Sequence, residues 1–247
     1  MRKPFFIFLV LGIINLFSFL PLEWLESGWF RYLHSSVFAE ELPFKPGEKI
    51  VYRLSYKGLK IGKAELTFHG ERRLGREEVY LFTFYTNSLY FKDLEKIFAN
   101  KDNFLPLKVE RKIRGLSSLP TKIEEEYDQD NFRVKIRKKT FFFTRKFTIE
   151  KSSPIHNAIL LSYLYRKKKE FRAKEEFLVN LPTRNFKLVF KGKERVSTPL
   201  GEFLAYLFEG DSSFKFWLKD DEKRIPLKIE IPKLLGYSLA IESIEKD

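Results

Sequence analysis

Beyond Pro43 the chain alternates apolar and polar side chains through most of its length, and this alternation constrains its fold more than any other feature. In the first such segment, Ile50, Tyr52 and Leu54 are separated by residues such as Arg53. A period of two places successive side chains on opposite faces of a β-strand, so that one face packs on a core. Similar segments occur at residues 64–68, 107–113, 132–136, 141–149, 186–190, 203–207, 214–218, 227–231 and 237–241. Residues 79–85 are apolar or aromatic at nearly every position, which predicts a strand covered on both faces.

These segments predict about twelve strands at short, even spacing. Such a series favours a mainly β fold with a large curved antiparallel sheet, either a half-barrel or an open barrel. No Pro-rich or Gly-rich linker interrupts the series. We therefore predict that residues 40–247 form a single all-β domain.

One segment follows a helical pattern instead. Ser153 is suited to be an N-cap, and Pro154 is suited to the first helical position. Apolar residues then recur at helical spacing from Ile155 to Tyr165, and residues 166–169 place four positive charges where the helix dipole favours them. The apolar stripe is wide, which predicts one main helix packed deep against a sheet that curves around it.

Residues 1–39 have the features of an export signal. Arg2 and Lys3 precede an uncharged apolar run at residues 5–22, and Val37 and Ala39 form a small-x-small pattern before Glu40. This pattern predicts cleavage after Ala39. The alternative is a retained inner-membrane anchor, since the run is just long enough to span a bilayer. In both cases the positive N-terminus stays in the cytoplasm, which predicts a periplasmic location for the remainder.

The formal net charge of +13 favours an anionic partner, which we expect to be a lipid, a lipoprotein or another anionic envelope component near the membrane. The basic residues are spread along the chain among Glu residues, so a solvated basic surface is the simpler alternative. Export makes nucleic acid an improbable partner. The absence of Cys excludes disulfides, thiolate metal sites and a Cys nucleophile. The single Met and single Gln beside many charged residues are typical of a thermophile.

No catalytic motif is visible. His34, His69 and His156 lack the spacing of metal ligands. In the acidic run at residues 124–128, strand geometry would place Glu124 and Glu126 on one face and Glu125 on the other. A carboxylate pair for acid–base catalysis is one interpretation, but charge pairing with a basic strand at residues 133–139 is the more ordinary one. We predict neither an enzyme nor a metal or other cofactor.

The 27 Phe residues permit two interpretations. Segments such as Phe141–Phe143 and the Phe82/Phe84 strand fill a large core in the simpler one. In the other they line a cavity for an acyl chain or lipidated peptide, with basic residues at its mouth. The candidate ligand-binding residues are Tyr52, Tyr56, Phe82, Phe84, Phe141, Phe143 and Trp217.

Several short motifs resemble the bacterial envelope family catalogued as domain of unknown function 3108. They are the opening at residues 44–48, the glycines that follow it, the helix end at residues 164–166, the turn at residues 198–203, and residues 216–227. The residues expected to have structural roles in these motifs are Pro46, Gly47, Glu48, Gly62, Gly201 and Pro226. The acidic residue usual before the helix in that family is replaced here by Ser152-Ser153-Pro154.

The resemblance implies an exported protein without an established activity. It also implies a fold similar to the periplasmic lipoprotein-carrier superfamily, in which a half-barrel closed by helices covers an apolar cavity. Our hypothesis is a non-catalytic envelope protein that binds or chaperones a lipid or lipoprotein in such a cavity. The alternative is a structural or assembly factor that docks on an envelope protein and has no ligand cavity. A continuous apolar cavity beneath the helix would distinguish the two.

Overall fold

The computed structural model describes residues 42–116, 119–211, 214–231 and 236–246. The predicted signal or anchor at residues 1–39, including cleavage after Ala39, lies outside these residues. Fourteen strands and one helix occur in the described part of the chain. In chain order they are β1 (Glu48–Tyr56), β2 (Leu59–Leu74), β3 (Glu77–Ser88), β4 (Phe91–Ala99), β5 (Pro106–Gly115), β6 (Thr121–Asp128), β7 (Arg133–Lys139), β8 (Thr144–Glu150), α1 (Ala158–Lys167), β9 (Glu176–Asn180), β10 (Asn185–Thr198), β11 (Gly201–Gly210), β12 (Lys215–Lys219), β13 (Pro226–Glu230) and β14 (Tyr237–Lys246).

All fourteen strands belong to one antiparallel sheet, in the order β8-β7-β6-β5-β4-β3-β2-β1-β14-β13-β12-β11-β10-β9. The chain starts near the middle at β1 and meanders out to the β8 edge. Helix α1 then leads to the opposite edge, from which β9 to β14 meander back until β14 pairs with β1. The edges β8 and β9 do not pair with each other, so the sheet is open. The predicted mainly β fold with a large antiparallel sheet is confirmed.

The sheet curves around α1. Leu66 on β2 and Leu188 on β10 line the same cavity, although six strand intervals separate these strands. In a flat sheet they would be roughly 29 Å apart, because neighbouring strands are spaced by about 4.8 Å. Only a curved sheet brings the two side chains to one cavity, which agrees with the predicted packing around one main helix.

The concave face holds two apolar clusters, one on each side of the helix. Tyr163 packs with Phe68 and Phe82 in the first cluster, with ring centroids 4.4 Å apart for Tyr163 and Phe82. Tyr165 stacks on Phe208 in the second, at 5.6 Å. Residues two apart point in directions about 200° apart around a helix, so the two Tyr side chains reach opposite sides. The helix is buried on both sides because the sheet wraps around it.

The predicted start of the helix is wrong. Helix α1 begins at Ala158, and its N-cap is Asn157, whose side chain accepts hydrogen bonds from the Ile159 and Leu160 amides. Ser153 instead accepts a hydrogen bond from the Asn180 side chain. Residues 155–156 lie outside the helix, because their backbone groups already have partners elsewhere.

Those partners come from a turn and from a strand. The Gln129 side chain accepts a hydrogen bond from the Ile155 amide at 3.0 Å and donates one to the Ile155 carbonyl at 2.9 Å. The His156 amide donates to the Asn180 carbonyl at 2.6 Å. Helix α1 has ten residues, and no helix in the described part of the chain is long and apolar enough to span a bilayer.

The strand predictions also missed β4, β6 and β9 and misplaced the start of β8. β4 was not predicted because two of its inward positions hold Asp93 and Glu95, which break the apolar alternation. The strand predicted from Phe141 begins only at Thr144. Phe141 and Phe143 lie in the turn before it, with 81% and 47% of their surfaces exposed. Their predicted role in the core is wrong, since edge strand β8 has no partner strand beyond it and little to cover its side chains.

Three glycines of the family motifs lie at the ends of strands or where two strands come close together. The Gly47 amide donates to the Phe68 carbonyl at 2.8 Å, directly after Pro46. Gly62 lies where β3 approaches β2 so closely that a Cβ would be 2.3 Å from the Asn87 carbonyl oxygen. Gly201 begins β11 in the positive-φ region, at 140°. Gly47, at a φ of 85°, and Gly201 thus occupy conformations that favour glycine, and Gly62 leaves room for the neighbouring strand.

Glu48 and Arg166 form the main polar tie between the sheet and the helix. The Arg166 guanidinium donates to both Glu48 carboxylate oxygens, at 2.5 and 3.0 Å, and to the Lys223 carbonyl at 2.8 Å. Its carbon Cζ lies 4.8 Å from the centre of the Phe44 ring. The Arg166 side chain is completely buried. The end of the helix is thus fixed to the start of β1, at the middle of the sheet.

Removal of the Glu48–Arg166 ion pair should greatly reduce the stability of the protein. Arg166→Ala leaves the buried Glu48 carboxylate without its partner, which should lower the free energy of unfolding by about 3–5 kcal/mol. Arg137→Ala is the matched control, because Arg137 forms a half-exposed ion pair with Glu124 at 3.5 Å. That change should cost less than about 1 kcal/mol. Urea unfolding of both variants measures the difference, and equal losses would contradict the assigned role of Arg166.

Candidate functional site

An apolar cavity of about 130 Å³ lies between α1 and the concave face of the sheet. The helix contributes Leu161 and Tyr165 among other side chains, and both halves of the sheet contribute the rest. Dry cavities of about 150 Å³ lined by Leu, Ile and Phe bind ligands of the size of benzene. This cavity therefore has room for an aromatic ring or a short stretch of an acyl chain.

Two side chains at the cavity each have a buried polar atom without a hydrogen-bond partner among the described residues. Thr86 is 1% exposed, and its hydroxyl has no hydrogen-bond partner. Nε of Arg184 is likewise buried without one. The Arg184 guanidinium lies over the Phe186 ring, 5.2 Å from its centre, and burial lowers the pKa of this residue. A buried hydroxyl and a partly desolvated cation beside apolar walls favour a ligand with a polar or anionic group.

The structure brings only some of the predicted ligand-binding residues to this cavity. Tyr52 and Phe84 line it, and the Tyr52 hydroxyl donates to the Pro226 carbonyl at 3.1 Å. Tyr56 packs on the lining residue Tyr237 with ring centroids 4.7 Å apart.

The other predicted residues lie elsewhere. Phe82 packs beneath Tyr163 in the first core cluster, outside the cavity lining. The Trp217 indole donates to Glu194 at 2.7 Å. Phe141 and Phe143 are exposed at the β7–β8 turn and do not line the cavity.

Sequence reasoning missed the polar lining residues. Thr86, Ser162 and Arg184 reach the cavity from a strand, a helix and a turn that are far apart in the chain. Thr86 and Ser162 are polar residues at inward positions of otherwise apolar patterns, which is the one signal that could have identified them. The position of Arg184 depends on the pairing of β9 with β10 at the far edge, which has no local signal.

A second, smaller cavity of about 40 Å³ lies beside the start of the helix. Around it, a charged cluster consists of Asp93 and Glu95 on β4, Arg111 on β5 and Glu125 on β6. Arg111 binds Asp93 through both Nε and NH2, at 3.0 and 2.5 Å. The Glu95 carboxylate accepts a hydrogen bond from the N-cap Asn157 at 2.9 Å. The cluster thus connects three strands to the first turn of α1.

Glu125 is the most perturbed acid of this cluster. As predicted, it lies on the opposite face from Glu124 and Glu126, which are opposite Arg137 and Lys135 in the neighbouring strand. Burial raises the pKa of Glu125 to about 7, and the nearby Glu95 carboxyl adds to the rise. The Tyr127 hydroxyl donates a hydrogen bond to the Glu125 carboxylate at 2.5 Å, which opposes the rise in the pKa.

A carboxyl group that titrates near neutral pH is able to act as a general acid or base. The neighbouring groups, however, are engaged with one another, since Asp93 holds Arg111 and Asn157 caps the helix. Buried ion-pair networks shift pKa values in the same way without catalysis. The cluster therefore has a sufficient structural explanation as the support of the helix start.

The two described His residues are engaged in hydrogen bonds. Nε2 of His69 lies 2.9 Å from the Thr83 hydroxyl, and Nδ1 of His156 accepts a hydrogen bond from the Asn180 amide at 3.2 Å. His156 precedes the helix, although the pattern predicted it in the first turn. Among the described residues, no group of three or more His, Cys, Asp or Glu side chains is arranged to hold a metal ion.

Comparison with known proteins gives a family and a distant structure. The family model described as "Protein of unknown function (DUF3108)" matches residues 51–240 and confirms the resemblance noted in the sequence. No curated protein matches the chain. One solved structure, a candidate exported protein with a YmcC-like fold from Bacteroides fragilis NCTC 9343, is similar at 11% identity and a TM-score of 0.28. The alignment covers 83% of this chain and 98% of that one.

The raised pKa of Glu125 makes stability depend on pH. Between about pH 4.5 and 7 the folded protein keeps the Glu125 proton while the unfolded chain loses it, so stability falls as the pH rises. Glu125→Gln removes this loss and should raise the free energy of unfolding at pH 8 by on the order of 2 kcal/mol, with little change at pH 4.5.

The matched control is Glu124→Gln, which alters the neighbouring carboxylate on the outer face of the sheet. It should leave the difference in stability between pH 4.5 and 8 as in the wild type. Urea unfolding at both pH values measures the effect. An unchanged difference in the Glu125 variant would contradict the assigned protonation behaviour.

Proposed function

This chain belongs to the family of proteins of unknown function DUF3108, and we propose that it is a non-catalytic, exported protein that holds the apolar chain of a lipid or lipoprotein beneath α1. The observation that carries the proposal is the cavity of about 130 Å³ between the helix and the sheet. Its lining is almost wholly apolar, and its unpartnered polar groups belong to Thr86 and Arg184.

The distribution of polar groups favours an amphiphile over a wholly apolar ligand. Thr86 lies on β3 within the cavity, whereas Arg184 lies in the turn between β9 and β10 at its margin. An acyl chain in the cavity would place a carboxylate or phosphate beside the Arg184 guanidinium. A charge-assisted hydrogen bond there would satisfy a cation that the described part of the protein leaves partly desolvated.

The same cavity separates this proposal from the alternative of an assembly factor without a ligand cavity. A sheet that only docked on a protein partner would have no need of a void beneath its helix, because voids lose packing contacts. Export is supported by the basic start, the apolar run and the small-x-small pattern in residues 1–39. Catalysis is not part of the proposal, since the charged cluster is explained by its support of the helix.

Filling the cavity should abolish ligand binding. Ser162 lies on α1, is 6% exposed and lines the cavity. In Ser162→Leu the longer apolar side chain occupies this space, and affinity for a fluorescent fatty acid should fall at least tenfold. Ser152→Leu is the matched control, because Ser152 is exposed in the β8–α1 connection and does not line the cavity.

The measurement is titration of the detergent-free protein with the fatty acid, with native mass spectrometry to detect lipid already bound after purification. Arg184→Gln should weaken binding of the acid about tenfold but leave binding of its uncharged methyl ester unchanged. Equal affinities of Ser162→Leu and wild type, with no lipid bound to either, would refute the proposal.

A further inference from the structure

In the half of the sheet formed by β1 to β8, the turns at one end differ in charge from those at the other. Because the strands form a meander, the turns β1–β2, β3–β4, β5–β6 and β7–β8 all lie at the same end. The described segments that contain them, residues 56–60, 87–92, 114–116, 119–122 and 138–146, hold nine basic residues and no acidic residue. We name this end the basic turn end. At the opposite end, residues 70–78, 99–106 and 128–133 hold six acidic and five basic residues.

The basic turn end also carries most of the exposed apolar surface. Of the thirteen large apolar side chains that are exposed in the described residues, eight lie in its four turns. These eight are Leu59, Leu89, Tyr90, Leu116, Leu119, Phe141, Phe142 and Phe143. The three turn segments of the opposite end contribute none to this set. Scattered exposed apolar residues need no explanation, but their concentration at one end does.

The β7–β8 turn shows the feature most clearly. Thr140 and Phe143 close the turn through the Thr140 amide and the Phe143 carbonyl at 2.9 Å, which leaves Phe141 and Phe142 at its tip. These two rings are 81% and 74% exposed and contact each other edge to face, with centroids 5.1 Å apart. Tight turns favour Gly, Asn, Asp and Pro for conformational reasons, and two adjacent Phe residues satisfy none of these.

Cations surround this tip. Lys138 is opposite Arg145 and Lys139 is opposite Thr144 in the hairpin register, while Lys122 on β6 is opposite Lys139. Like charges in opposite positions destabilise a sheet, so folding alone does not favour this arrangement. The Arg145 guanidinium lies 5.1 Å from the centre of the Phe143 ring. Long basic side chains beside aromatic rings suit an interface where rings meet acyl chains and cations meet phosphates.

We propose that the basic turn end docks on the surface of an anionic lipid bilayer, with Phe141 and Phe142 entering the interface between headgroups and acyl chains. Its charge is complementary to anionic headgroups. The apolar side chains are distributed over four separate turns, about 10 Å apart from one turn to the next because two strand spacings separate them. A row of separate tips along roughly 30 Å fits a fluid bilayer better than a pocket on a folded protein.

The position of the cavity agrees with this orientation. Tyr56 at the end of β1 is opposite Tyr237, a lining residue, so β14 begins at the basic turn end. The β9–β10 turn with Arg184 lies at that end as well, as the register through β10 to β14 requires. A docked protein would therefore present the cavity margin to the lipid. Docking itself does not rest on the proposed function, and Ser162→Leu should dock like the wild type.

The absence of Cys allows a direct test in the full chain. Phe142→Cys carries an environment-sensitive fluorophore at the tip, and Leu200→Cys carries it in the β10–β11 turn at the opposite end, where Leu200 is 43% exposed. The probes are vesicles of phosphatidylcholine with or without one-third phosphatidylglycerol. With the anionic vesicles, fluorescence from position 142 should shift to shorter wavelength and be quenched by a quencher within the bilayer. Fluorescence from position 200 should change in neither respect.

The charge contribution is tested separately. Lys139→Gln combined with Lys146→Gln should weaken binding to the anionic vesicles about tenfold or more, and high salt should do the same to the wild type. Equal responses at positions 142 and 200 would overturn the proposal, because an anchor at residues 1–39 would then account for all binding. No response at position 142 to either vesicle would also overturn it and would make an acidic protein the occupant to test next.

Discussion

The junction between the helix and the sheet depends on the burial of one charge, that of Arg166. Arg166 lies at the end of the helix, in contact with Glu48, the Lys223 carbonyl and the Phe44 ring. A buried guanidinium is tolerated only where its donors are satisfied, so the helix end, the start of β1 and the β12–β13 turn must meet at one point. These segments are far apart in the chain. Their convergence fixes the helix across the concave face and thereby sets the width of the cavity beneath it.

The strands and the helix could be predicted because their signals are local. Period-two alternation identified β1 and β2, a nearly continuous apolar run identified β3, and the apolar stripe identified α1. The motif residues Glu48 and Pro226 also have clear structural roles, as ion-pair partner of Arg166 and as acceptor for the Tyr52 hydroxyl. In each case a residue type of limited adaptability occupies a position with a specific requirement.

Features that depend on distant parts of the chain could not be predicted. The pairing of β1 with β14 brings together residues almost two hundred positions apart, and the cavity exists only because of it. The N-cap was misassigned because Ser153 and Asn157 are equally suitable as local signals. Gln129 and Asn180 decide between the two, because their hydrogen bonds engage the backbone of residues 155–156 outside the helix. Strand β4 was missed because the inward-facing charges of Asp93 and Glu95 break its apolar pattern. Their partner Arg111 lies on another strand, so the sequence of β4 alone does not reveal it.

The two ends of the helix are held by different interactions, an ion pair at one end and a hydrogen bond to an N-cap side chain at the other. This difference concerns the cavity, because the helix forms one of its walls. The end at Arg166 is held by a bidentate ion pair in a fully buried position, which permits little movement. The start is held by Asn157, whose tie to Glu95 belongs to a cluster with a carboxyl near its titration point at neutral pH. Charges added to that cluster repel Glu95 and weaken the support of the helix start. Ala158 and Ile159 in the first turn line the same cavity as Arg184, so the contacts that hold the helix start also position one wall of the cavity.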